Sequence, residues 1–451
     1  MSESAAEAAN DLDLLTGLLT AAQRAGADSA DAVLFESQAL EVSYRLGEPE
    51  DLERSESRDL GLRVFVGQRQ AIVSSTDLAQ ATLDELVERA VAMARIAPED
   101  PYCGLADPSR LCTAPADLDL ADPAEPTPEQ LYDMAARAEA AALAVDGVSN
   151  SEGAGAGWGR TSVALATSGG FAGGYAASSH SVHASVLAGE GTGMERDYDF
   201  SSARHGTDLE AAEAIGKAAG ERAVGRLNPR KVASTQVPVV YDPRVSRSLL
   251  GHFAGAISGQ AVARGTSFLK DSMGEAVFAD GIAVIDDPHR PRGLASKPFD
   301  GEGVRNGKWT LVDDGRLQTW LLDSSAARQL GLETTGHAAR GTSGPPSPST
   351  SNLYMQPGGL TPEALIGAID DGFYVTELIG FGVNGVTGDY SRGAAGFWIE
   401  KGKLAYPVSE LTIAGNLKQM FRELTPADDL VFRYGSNAPT LRVDGMTVAG
   451  T

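Results

Sequence analysis

Cysteine is almost missing from this chain, with only Cys103 and Cys112 among 451 residues. Neither belongs to a C-x-x-C pair, which excludes a thiolate zinc cluster or a dithiol redox centre. Free buried thiols are expected, with a disulfide between the two left open, and such sparse usage suits a reducing cytoplasm. Basic residues are scarce as well: 37 Lys and Arg face 61 Asp and Glu, for a net charge of −24. A surface of that sign repels polyanions, so nucleic-acid binding is excluded as the main activity. It favours solubility, and it leaves room for a basic peptide or a basic partner face. No apolar run approaches the ~20 residues of a membrane span. The acidic start, Met1-Ser2-Glu3-Ser4-Ala5-Ala6-Glu7, lacks the basic and apolar regions of a signal peptide. Of six histidines none precedes a glutamate, so no H-E-x-x-H zinc-protease motif is written here.

A hydrophobic content of 42% over this length predicts a globular protein of two or three domains. Leucines at helical spacing predict an amphipathic helix over 11–27. Strands follow at 32–44 and 62–74, with a turn at Gly67-Gln68, and a second helix at 77–96. Helix, strand, strand, helix in that order implies an α+β unit with an antiparallel sheet and flanking helices. Residues 98–128, rich in Pro, Asp and Ala, form a linker ending in Thr127-Pro128-Glu129-Gln130, a capping box that starts a helix to about residue 145. Residues 149–190 alternate as strands around Gly169-Gly170, and 208–226 is helical. Asn228-Pro229-Arg230 marks the main boundary, giving domains 1–228 and 229–451. Beyond it, short apolar runs at 237–241, 281–285, 309–312, 319–322, 373–379 and 396–400 predict a β-rich, barrel-like C-terminal domain. Residues 341–359, with Pro345-Pro346-Ser347-Pro348, read as a mobile surface loop.

Several segments carry chemistry in principle. Gly251, Gly255 and Gly259 recur every four residues, the pattern of a smooth helix stripe packed tightly against another backbone. His180 and His183 are the closest histidines, but on a strand an offset of three sends them to opposite faces. Ser267-Phe268-Leu269-Lys270 spells the S-x-x-K of serine acylases without their K-T-G element. Gly380-Phe381-Gly382-Val383-Asn384-Gly385 spells G-x-G-x-x-G, yet no helix follows to face a pyrophosphate, so tight turns are expected. Asp300 and Glu302 flank Gly301 and in an extended segment would share a face, as an acid/base pair requires. Turn chemistry is the plainer reading. Arg392, amid Asp389, Tyr390 and Ser391, offers fixed charge and planar donors for a substrate carboxylate, a backbone carbonyl or a partner subunit.

Longer strings carry a resemblance. Asp242-Pro243-Arg244, the segment 249–259 around His252, Arg264-Gly265-Thr266-Ser267-Phe268-Leu269-Lys270-Asp271 and Gly293-Leu294-Ala295-Ser296-Lys297-Pro298-Phe299-Asp300-Gly301-Glu302-Gly303 resemble the TldD/PmbA family. So do residues 388–398 and 406–417. The strings are more similar to its PmbA (TldE) branch than to TldD. In that family TldD carries an HExxxH helix plus a distant cysteine as zinc ligands. Aligned on His252, this chain has Phe253 for the glutamate and Ile257 for the second histidine, and no cysteine follows Cys112.

The resemblance therefore implies a subunit of a cytoplasmic heterodimeric zinc metalloprotease acting on unfolded proteins and leader peptides. It implies no catalytic or metal residue here, no cofactor bound by this chain, and zinc in a TldD-like partner. His252, Asp300, Glu302, Asp389 and Arg392 are the substrate- or partner-binding candidates. No nucleic acid or membrane is expected as a partner, and a homodimer is the alternative state of the isolated chain. Two other readings stand beside it: an autonomous hydrolase using Ser267/Lys270 or Asp300/Glu302, and a non-enzymatic homodimeric peptide-binding protein.

Overall fold

A computed structural model describes residues 3–450. Helix α1 (Glu3–Arg24) leads into three strands, β1 (Ser29–Arg45), β2 (Glu48–Val66) and β3 (Arg69–Ser75), followed by α2 (Gln80–Ile96). A long connection then reaches α3 (Pro128–Leu143), β4 (Val148–Thr167), β5 (Ala172–Ala188), β6 (Glu195–Ala203) and α4 (Ala212–Gly225). The six strands form one antiparallel sheet in the order β3-β2-β1-β4-β5-β6. The predicted α+β unit is therefore a sheet that draws on both sides of the Pro-rich connection.

Strand parity decides what each face does. On β1 the even positions Ala32 and Leu34 pack under α1 and α2, while Leu40 and Val42 pack under α3 and α4. The odd positions Val33 and Phe35 point the other way, join Leu165, Phe171 and Tyr175, and receive Phe299 from the C-terminal half. The Phe299 ring meets Phe171 and Tyr175 edge-on, with centroids 4.8 and 5.5 Å apart. Each such buried side chain contributes about 1.5–3 kcal/mol. One face thus builds a helix-covered core, and the other is a docking face.

The N-terminal part of β2 departs from expectation. Residues 48–58 are wholly exposed and highly charged, so they give no hydrophobic signal, but they pair with β1 along its length. Here the strand exists because backbone hydrogen bonds are satisfied by a neighbour, without burial on either face. The β1–β2 turn, Leu46-Gly47, has positive φ at both residues. Its two amides donate to the buried carboxylate of Glu139 on α3 at 2.9 and 3.0 Å.

The C-terminal half begins with β7 (Thr235–Tyr241) and α5 (Pro243–Ala256). β7 and the strands Asp371–Val383, Asp389–Glu400, Lys403–Asn416 and Leu441–Ala449 form a five-stranded barrel. It closes where Thr412, Ile413 and Ala414 pair with Ala449, Val448 and Thr447. Tyr241, Phe373, Tyr390 and Val443 fill it, and the core continues into α5 through Leu249, Leu250 and Phe253. A smaller sheet includes Val284–Asp286, Trp309–Asp313 and Leu353–Met355.

Two sequence expectations in this half need correction. Residues 341–359 do not form a mobile surface loop: Leu353 and Met355 are fully buried in the smaller sheet, and Ser351 bonds the buried Asp286. Pro and Ser content hid a short strand whose three apolar residues are enough to anchor it. The run 319–322 forms no strand beyond a single bridge from Leu321 to Ser258.

Arginines stitch the halves together. Arg340 reaches Asp31 on β1, Arg226 reaches Glu377, and Arg433 reaches Asp199. Arg204 donates to the carbonyls of Gly293 and Leu294.

Candidate substrate groove and interdomain cluster

Asp242 starts α5 by accepting the amide of Arg244 at 2.9 Å, and Pro243 occupies the first turn, where its missing N–H costs nothing. The helix buries Ser246, Leu249, Leu250, Phe253 and Ala256. Its opposite face presents Arg247, Gly251 and Gly255 to solvent, with Ser248 and His252 half-buried. The expected tight packing of the glycine stripe is not found at its first two positions. A Cβ added at Gly251 or Gly255 would meet nothing within 4 Å, and only Gly259, beyond the helix end, is pressed against Leu321, Leu322 and Ala326. The helix ends at Ala256, which breaks the stripe.

Phe253 and Ile257 are both fully buried. The Phe253 ring sits edge-on to Phe278 at 5.1 Å and to Phe421 at 6.3 Å. His252 lies beside the Tyr390 ring at 6.0 Å, and its Nε2 is buried without a hydrogen-bond partner. Burial, with the nearby positive charge of Arg392, pushes its pKa below the ordinary value, so the ring is neutral at neutral pH. Among the described residues, no three His, Cys, Asp or Glu side chains are grouped to hold a metal ion.

His252 and Arg392 are thus brought together, while Asp389 serves the turn beside them. Its carboxylate accepts from Thr387 and Asn416 and is exposed. The G-x-G-x-x-G string spans the end of strand Asp371–Val383 and the turn leading to Asp389–Glu400, but only Gly385 lies in that turn: Gly380, with φ +79°, sits at a β-bulge within the strand, and Gly382 pairs with Ser391. Near it a cleft of about 320 Å³ is lined by Arg196, Arg226, Arg244, Arg247 and Arg392, together with Asp197 and Glu377. Sequence reasoning found Arg392 and missed the other four. Arg244 and Arg247 were visible as i and i+3 on the helix that carries His252, but only the fold adds β6 and α4.

Asp300 and Glu302 lie elsewhere, buried under the docking face. They do not share an extended face. Asp300 Oδ1 accepts the amides of Glu302 and Val304, each at 2.9 Å, and so closes a turn, the plainer of the two readings. Glu302 accepts the amide of Ser324 at 2.8 Å. Burial, reinforced by Glu302, pushes the Asp300 pKa up to about 7. Asp323 is pushed up to about 6, chiefly by burial. Lys297, beside them, is lowered by burial and donates to the Ala338 carbonyl. These groups form the polar lining of the interdomain seam.

The S-x-x-K pair is not assembled. Ser267 is buried, donates to the Ala256 carbonyl at the end of α5 and accepts the Leu269 amide, while Lys270 points to solvent. His180 and His183 fall on opposite faces of β5: His180 approaches Asp122 at 3.2 Å and His183 does not. Cys103 and Cys112 are free and half-buried.

Three family models of the PmbA/TldA metallopeptidase match in succession: domain 1 over residues 30–94, the central domain over 121–227 and the C-terminal domain over 234–450. The chain belongs to the PmbA/TldD family. It is 39% identical over 425 residues to metalloprotease PmbA of Escherichia coli, covering 94% of this chain and 92% of that one. A PmbA homolog of Haemophilus influenzae is 37% identical, with 95% and 94% covered. Both place the chain on the PmbA (TldE) branch. The fold is shared with a crystal structure of TldE from Thermococcus kodakarensis at TM-score 0.87, with 21% identity and coverage of 97% and 100%. A crystal structure from Bacteroides thetaiotaomicron superposes at TM-score 0.89, with 28% identity and coverage of 97% and 98%. The antiparallel sheet followed by the closed barrel is the architecture that this chain shares with both structures. No described helix is long and apolar enough to cross a membrane.

Proposed function

We propose that this chain is the subunit of a heterodimeric zinc metalloprotease that does not itself hold the zinc. The metal, its activated water and the general base belong to a TldD-like partner, and this chain completes the chamber in which unfolded polypeptides and leader peptides are held. The observation that carries the reading is the state of α5. Where the family resemblance places a glutamate and a second histidine, Phe253 and Ile257 are locked in the core, and His252 is left as a lone imidazole. One neutral nitrogen does not satisfy the three protein ligands of a catalytic zinc. Peptide would lie along the open face of α5 and the barrel edge, satisfying its main chain as an added strand does. The same reading places the complex in the cytoplasm.

Co-expression with a TldD-like chain, followed by metal analysis of each separated subunit, tests this. Zinc is expected with the partner alone, and peptide hydrolysis only in the complex. Zinc stoichiometric with this chain, or chelator-sensitive hydrolysis by this chain without a partner, overturns the assignment.

A further inference from the structure

The cleft beside α5 contains an imbalance of charge that runs against the rest of the molecule. Five arginines line it in a chain whose carboxylates outnumber its basic residues, 61 to 37. Three of them are already neutralised. Arg226 contacts Glu195, Asp197 and Glu377, Arg244 contacts Asp197 at 2.8 Å, and Arg196 contacts Glu152. Arg247 and Arg392 have no carboxylate within 4.0 Å among the described residues.

Both free guanidiniums are held in place by neutral groups. Arg392 Nε donates to the Ile379 carbonyl at 3.3 Å, and Arg247 stacks 4.3 Å above the Tyr434 ring. Their remaining N–H groups have no acidic acceptor, so a planar two-oxygen anion would complete them with charge-assisted bonds. The surroundings favour a polypeptide as the carrier of that anion. The floor continues along α5 as Gly251 and Gly255, where a main chain can approach closely. The hairpin above supplies Ile379, 58% exposed, and Phe381, 98% exposed, as apolar contacts.

We infer that this cleft is a carboxylate-binding subsite, in which Arg247 and Arg392 together hold a carboxylate of an unfolded peptide while the peptide main chain runs over the glycine floor of α5. The inference rests on the peptide-holding role proposed above. It depends on neither the metal nor the partner, so its failure would leave the zinc assignment untouched.

The test is fluorescence anisotropy with the full chain and three versions of one short unstructured peptide without other acidic residues: a free C-terminus, an amidated C-terminus, and an amidated C-terminus with one internal glutamate. A carboxylate version is expected to bind about tenfold more tightly than the neutral one, the scale of one charge-assisted contact. Preference for the free C-terminus alone identifies the chain end as the ligand, and equal preference for the internal glutamate identifies a side chain. The double variant Arg247→Gln/Arg392→Gln is expected to bind all three versions equally. Arg247→Gln alone, on an exposed side chain that makes no ion pair among the described residues, should lose part of the preference even if the double variant folds poorly. Equal affinity for the three peptides, no binding of any of them, or a preference fully kept by the folded variants overturns the subsite.

Discussion

Asp31 on β1 and Arg340 of the C-terminal half, 309 residues apart, form a buried ion pair at the docking face, each side chain only 2% exposed. Arg63 donates to the other oxygen of the same carboxylate, its Nε at 2.9 Å. One acid therefore offsets two buried guanidiniums.

Removing that acid should be costly. Asp31→Ala leaves two desolvated positive charges facing each other and is expected to destabilise the fold by about 3–5 kcal/mol, read from chemical unfolding. Burial alone would raise the Asp31 pKa, but Arg340 and Arg63 outweigh it and hold it below the ordinary 3.8. The stabilisation is then present above pH 3.8 and lost as pH falls through the depressed value. Asp31→Asn and wild type should accordingly converge in stability toward strong acid. A variant as stable as wild type at neutral pH would mean that the pair does not hold the halves together.

Asp300 works in the opposite direction. Its pKa, pushed up to about 7 by burial and Glu302, favours the protonated form in the folded state. Its contribution is fully present below pH 3.8 and lost as pH rises through about 7. Wild type should therefore lose stability relative to Asp300→Asn between pH 5 and pH 7, by at most ~1.4 kcal/mol per pH unit. Parallel unfolding curves across that window would show that Asp300 is ionised throughout.

Glu139 is the peg for the β1–β2 turn. Its carboxylate accepts both turn amides and the hydroxyl of Ser151 while only 2% exposed. Glu139→Ala is expected to cost about 1–3 kcal/mol and to raise amide exchange at Leu46 and Gly47 ahead of the rest of the sheet. Unchanged exchange at the two amides would refute the peg.

Gly251 separates stability from function. No atom lies within 4 Å of where its Cβ would be, and it sits inside α5. Gly251→Ala should therefore stabilise the isolated chain by about 0.5–1 kcal/mol through helix propensity. If the glycine floor carries peptide, the same change weakens peptide binding. A destabilised variant would show that the face is packed in solution.

Much of the fold was legible from local patterns. The capping box at α3 is formed as written, with the Gln130 amide donating to Thr127 Oγ1 at 3.3 Å and the Thr127 amide to Gln130 Oε1 at 2.8 Å. Leucine spacing marked α1, although the helix begins earlier than residue 11. Residues 48–58 were not legible, because a strand held by its neighbour alone carries no hydrophobic period. The site divided in the same way. His252 and Arg392 are neighbours, which strings 140 residues apart do not reveal, whereas Asp300 and Glu302 belong to the seam. Their one-residue spacing is compatible with either a turn or a strand, and only the amides of Glu302 and Val304 decide between them.

By itself the sequence determined the branch of the family, the acid excess and the absence of a glutamate and a second histidine beside His252, since these are matters of residue identity. The tertiary structure alone decided that the glycine face of α5 is open and that Arg247 and Arg392 lack acidic partners among the described residues. It also decided that Asp31 meets Arg340. Each of these depends on which distant strand or helix arrives at a given face, and a one-dimensional pattern does not record long-range contact.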